Sequence, residues 1–75
     1  MTVPELLEES MSWHMRAKAQ SGGKPRPQGW QEMLKKAKDL REAALEIDPA
    51  MTDPAWAQHG NHANLMAFYA DVGIK

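Results

Sequence analysis

The chain has 75 residues, a formal net charge of -1 and no cysteine. A compact fold of this size buries only about 60% of the surface its unfolded chain exposes, so a deep catalytic cleft is hard to house, and neither disulfides nor a thiolate zinc site can reinforce the core. No apolar run approaches the roughly 20 residues needed to cross a bilayer, and the acidic start MTVPELLEES is unlike a basic secretory leader; the expected location is the cytoplasm, of a host cell or within a virion if the chain is viral.

Thr2, with Glu5 three positions on, forms a capping-box pattern in which each side chain satisfies a backbone N–H at a helix start. From there Val3, Leu6, Leu7, Met11, Trp13, His14 and Ala17 share one broad face at about 100° per residue, opposite Glu5, Glu8, Glu9, Ser12 and Arg16. This predicts a first helix over 3–20. Ser21-Gly22-Gly23 and Lys24-Pro25-Arg26-Pro27-Gln28-Gly29 remove backbone donors and fix φ, which predicts a loop. In a second helix over 29–47, Trp30, Met33, Leu34, Ala37, Leu40, Ala44 and Ile47 recur at three- and four-residue intervals, and Glu32 with Lys36 supplies an i,i+4 ion pair. Asp48-Pro49 ends it. A third helix over 54–72 takes Asp53 as its N-cap, breaks at Gly60-Asn61, and resumes through Leu65, Met66, Phe68, Tyr69 and Val72. Gly73 fits a left-handed C-cap, with Ile74 folding back on Tyr69. The expected fold is therefore all-α: one small three-helix domain, a helical hairpin plus a broken third helix.

Ala37, Ala44, Pro49, Trp56 and Gly60 are spaced in a way that resembles part of a tetratricopeptide repeat. Arg41 stands where that repeat has an aromatic and His59 where it has leucine, no second copy follows, and such repeats need about three units to bury a core; the likeness is read as coincidence between helical hairpins. In general character the chain is also similar to small uncharacterised proteins of tailed phages, a likeness carried by no motif, which implies a virion component or a host-directed adaptor.

Eight of the nine basic residues lie between Arg16 and Arg41. Lys18, Lys24, Arg26, Lys35, Lys36, Lys38 and Arg41, with Trp30 available for base stacking, make a nucleic-acid accessory role the first alternative. The second is a metal held by His59 and His62, three residues apart, with His14 or Asp53 completing the shell. His14, beside Ser10 on the apolar face, reads as a neutral core histidine that needs a hydrogen-bond partner. No phosphate loop, nucleophile elbow or paired-carboxylate motif stands out, so no enzymatic activity and no cofactor is expected.

Three tryptophans, six methionines, Phe68 and Tyr69 are a large supply of bulky side chains for so short a chain. Such residues favour recognition surfaces. The leading expectation is a non-enzymatic interaction protein that docks Trp13, Met15, Trp30, Trp56, Phe68 and Tyr69 onto a protein partner or a second copy, as a small subunit or adaptor. The competing reading gathers Trp13, Trp30 and Trp56, one per helix, into a single internal core.

Overall fold

The computed structural model describes residues 1–21 and 29–74. Among them are four helices and no strand: α1 (Val3–Ser21), α2 (Trp30–Ile47), α3 (Ala55–Gln58) and α4 (His62–Asp71). The fold is the expected all-α one, a hairpin of α1 and α2 followed by a third helix broken into α3 and α4. The predicted loop falls on residues 22–28, outside the described residues. No described helix is long and apolar enough to cross a membrane.

Local hydrogen bonds place each boundary. At the start of α1, Thr2 N–H donates to Glu5 Oε1 at 3.2 Å and Glu5 N–H to Thr2 Oγ1 at 3.4 Å, which completes the capping box. At the end of α2 the Asp48 carboxylate collects three donors: Thr52 Oγ1 at 2.9 Å, the Asp53 N–H at 2.9 Å and the Trp56 indole Nε1–H at 2.8 Å. The N-cap of α3 is Pro54 and not Asp53 as expected; Asp53, one residue earlier, accepts the Ala55 N–H at 2.9 Å. These bonds fold residues 48–56 into a turn that sends α3 back along the hairpin. Gly60 then breaks the helix with φ +100°. A side chain there would be strained in any case, and its Cβ would lie 3.0 Å from Leu65 Cδ1 and 3.1 Å from Met11 Cε. Asn61 restarts the helix by accepting the Asn64 N–H at 3.0 Å. At its end Gly73 has φ +82°, its N–H reaches Ala70 O at 3.1 Å, and Ile74 N–H reaches Tyr69 O at 2.8 Å. That is the Schellman arrangement, with buried Ile74 beside Tyr69.

The hairpin packs along a seam with three- and four-residue steps: Val3, Leu7, Ser10, His14 and Ala17 on α1, and Trp30, Leu34, Ala37, Arg41 and Ala44 on α2. The Ser10 hydroxyl donates across it to the Ala37 carbonyl, fixing the antiparallel register. Two apolar clusters result. Val3, Leu6, Leu7, Ala44, Ala55 and Trp56 form one, and Ala17, Trp30, Leu34, Ala37, Tyr69 and Ile74 the other, with Trp13 at its edge. The three tryptophans therefore do not share one core: Trp56 lies in the first cluster, Trp30 and Trp13 in the second. Buried Ser10 and Arg41 stand between the clusters along their helices, because each occupies a seam position with apolar neighbours on both sides.

Two further expectations are corrected. Ile47 is 57% exposed although it continues the apolar stripe of α2; it lies one turn beyond Ala44, which packs with Val3, the first residue of α1, so α1 does not reach it. Lys36 does not settle on Glu32 but lies over the Trp13 ring, 4.5 Å from its centroid. The i,i+4 pairs on this face are Lys35–Asp39 at 3.2 Å and Lys38–Glu42 at 3.1 Å.

Candidate functional site

Arg41 organises the most unusual chemistry in the chain. Its residue is 0% exposed, yet among the described residues no carboxylate pairs with it. Nη2 donates to the His59 carbonyl at 2.8 Å, tying α2 to the break between α3 and α4. Nε and Nη1 have no hydrogen-bond partner, and neither does the buried Nδ1 of His62. Burial pushes the guanidinium pKa down, while the Tyr69 hydroxyl, by its charge interaction and by a side-chain hydrogen bond, works in the opposite direction. Arginine nevertheless stays protonated, so the layer between the two clusters holds a cation with no counter-ion among the described residues.

Around it runs a polar relay. Burial raises the Tyr69 pKa, opposed by Arg41, so the phenol keeps its proton. Its oxygen lies 3.2 Å from His14 Nδ1. His14 is lowered by burial first, then by Lys18 and Arg41, so at neutral pH it is an uncharged imidazole able to accept from the phenol. This is the hydrogen-bonded core histidine that its position on α1 called for. His62 is lowered by burial and by Arg41, with Glu42 opposing, and its ring meets Trp56 edge-on at 5.2 Å.

The two lowered histidines have a consequence for stability. The unfolded chain takes up protons near the ordinary value of 6.5, which the folded chain resists. Above that pH both residues are neutral in both states and contribute nothing. Stability is therefore expected to fall as pH drops below about 6.5, read as a declining melting temperature, and His14→Gln with His62→Gln should flatten that limb. A second loss follows at lower pH, as Asp48 titrates: hydrogen bonds from Asp53, Thr52 and Trp56 hold it at about 2.

The six side chains expected to meet a partner divide sharply. Trp30, Trp56 and Tyr69 are 5%, 6% and 0% exposed, so they belong to the core and present no docking face. Met15 and Phe68 are 52% and 39% exposed. They sit beside one another's helices: the Phe68 ring is 5.5 Å from the ring of His14, the residue preceding Met15. Trp13 is half-buried beneath Lys36 and Arg16, the latter 5.0 Å from the ring centroid, and lines a shallow groove of about 340 Å³ with Glu9, Lys36, Asp39 and Leu40.

Of the basic residues, Lys24 and Arg26 lie outside the described residues. Lys35 is paired with Asp39, Lys36 covers Trp13, Lys18 is exposed on α1, and Arg41 is lost to the interior. Trp30, the proposed stacking platform, is buried. For a metal, no group of three or more His, Cys, Asp or Glu side chains converges among the described residues. His59 contributes its backbone carbonyl to Arg41, and His62 packs on Trp56.

Arg41 and Asp48 are the residues that sequence reasoning undervalued. For Arg41 the signal was present, since it is four residues after Ala37 and three before Ala44, squarely on the apolar stripe, and stands where the tetratricopeptide pattern places an aromatic. Asp48 was read only as a helix stop, because its three donors come from residues that reach it only after the turn has formed. No known protein family, curated protein or solved structure matches the chain.

Proposed function

We propose that this chain is a non-enzymatic interaction protein, a small subunit or adaptor of a larger assembly, which docks through Met15 and Phe68. The observation that carries this reading is the exposure of two large apolar side chains, Met15 next to His14 in the sequence of α1 and Phe68 on α4 with its ring against the His14 imidazole. Interiors of protein interfaces favour methionine and aromatics, and the relay from His14 to Tyr69 and Arg41 holds the two helices that present them.

Burying a side chain of this size is worth about 1.5–3 kcal/mol. Met15→Glu with Phe68→Glu should therefore weaken association by at least about tenfold, with helical circular dichroism unchanged because both positions face solvent. Sedimentation velocity on the purified chain and on its native complex reads the difference. A wild-type chain that is monomeric in both settings, or a double variant that associates equally well, defeats the proposal. Association that instead weakens steeply with salt favours the nucleic-acid reading.

A further inference from the structure

The hairpin sets its charges at opposite ends. Its antiparallel register places residues 1–10 beside 37–47, and the Asp48 turn and α3 stay at that end, so residues 1–10 and 37–61 together carry a formal charge of -6. At the other end, to which α4 returns, the described residues of 11–36 and 62–74 carry +2, Asp71 included. The molecule is 37 Å long and 19 × 17 Å across. With a screening length of about 8 Å at physiological salt, neither end cancels the other.

Each end also exposes a pair of large apolar side chains. Met15 and Phe68 lie at the basic end, with Arg16 next to Met15 and Lys18 one turn further on. Ile47 and Met51 lie at the acidic end. Glu46 and Asp48 flank Ile47, and the Met51 N–H donates to the Asp48 carbonyl at 3.0 Å, which brings Met51 back beside the end of α2. Met51 is held at φ +53°, a left-handed conformation that favours glycine. Next to it opens a groove of about 700 Å³, lined in part by Pro54, Trp56 and Ala57. Glu46 is exposed and outside the ion pairs formed among the described residues.

We propose that the partner on the Met15–Phe68 surface is a second copy of this chain, which receives those two side chains on Ile47, Met51 and the groove beside them, so that copies join head to tail. The proposal rests on the docking reading above and names its occupant. Arg16 and Lys18 at the rim of one face oppose Glu46 at the rim of the other, whereas joining two like ends would set like charges against each other. Because the two faces differ, each added copy leaves one face of each kind open, and the product is a ring or an open chain.

Sedimentation velocity of the purified, nuclease-treated full chain over a range of concentrations tests this. The expected result is association beyond the dimer that grows with concentration and weakens only a few-fold on adding sodium chloride, which screens the rim charges and spares the apolar contact. Met15→Glu with Phe68→Glu, and separately Ile47→Gln with Met51→Gln, should each weaken self-association by at least about tenfold. All four positions are exposed, so the helical circular dichroism of both variants should match the wild type. An equimolar mixture of the two variants should form a heterodimer, since each keeps the face that the other has lost. A wild-type chain that stays monomeric, self-association that the Ile47 and Met51 changes leave intact, or a mixture that does not associate overturns the head-to-tail contact. In each of those cases the docking reading is decided separately, by whether Met15→Glu with Phe68→Glu weakens the native complex.

Discussion

Replacing Arg41 with methionine is expected to stabilise the free protein, by about 1–4 kcal/mol, the range seen when buried charged groups give way to apolar residues of similar volume. The native residue leaves two nitrogens unsatisfied in a position with no exposure, and the desolvation of a cation amounts to several kcal/mol when nothing opposite compensates it. Methionine removes that penalty while its flexible thioether fills the space between Ala37 and Ala44. Against this stand the bond from Nη2 to the His59 carbonyl and the side-chain hydrogen bond with Tyr69, each worth about 0.5–1.5 kcal/mol net, so the gain should fall at the lower end of the expected range. For a domain of this size each kcal/mol moves the melting temperature by about 4–8 °C, well within reach of a thermal scan. A lower melting temperature for Arg41→Met would mean that the guanidinium anchors the α3–α4 break more strongly than its burial destabilises. Alanine at the same site is a separate matter, because it also opens a cavity.

A gain on removing a residue also bears on why it is there. A seam position filled by a polar group fixes helix register at a cost in stability. Arg41 occupies such a seam position, between Ala37 and Ala44.

Trp56→Ala should have the largest destabilising effect, about 3–5 kcal/mol for loss of a buried tryptophan. A chain of 75 residues has a total stability on the order of 0.05–0.15 kcal/mol per residue, so this one change should leave it marginal or unfolded. Trp56 is both an apolar member of the cluster with Leu6, Leu7 and Ala44 and a donor to Asp48 at 2.8 Å. Trp56→Phe separates the parts. It retains most of the ring and should lose only about 0.5–1.5 kcal/mol for the missing hydrogen bond. Urea titration of both variants gives the comparison. If Trp56→Ala costs no more than Trp56→Phe, the contribution of this residue is the hydrogen bond to the turn and not the burial of its ring.

The features legible in the sequence are those settled by hydrogen bonds within a few residues. The Thr2–Glu5 box, the break at Gly60-Asn61 and the Gly73–Ile74 closure each need only a short segment, and their residue types state the geometry they require. Periodicity likewise placed α1 and α2, since an apolar stripe at helical spacing has few other uses. His14 could be recognised as a histidine in need of a partner, although the partner, Tyr69, is 55 residues away in the chain.

Which bulky residues are core and which are surface was decided only by docking. Periodicity and capping residues by themselves determined that this chain would be helical, and composition that it has apolar side chains to spare; neither could say that Trp30, Trp56 and Tyr69 would be spent inside while Met15, Ile47 and Phe68 stayed outside. That division follows from where α1 begins against α2, from the register set by Ser10 and Ala37, and from the Asp48 turn that returns α3. The lone buried cation is the clearest case. Charge is a property of one residue and is visible in any sequence, but the lack of a counter-charge among the described residues is a property of every neighbour that the packed helices bring to it.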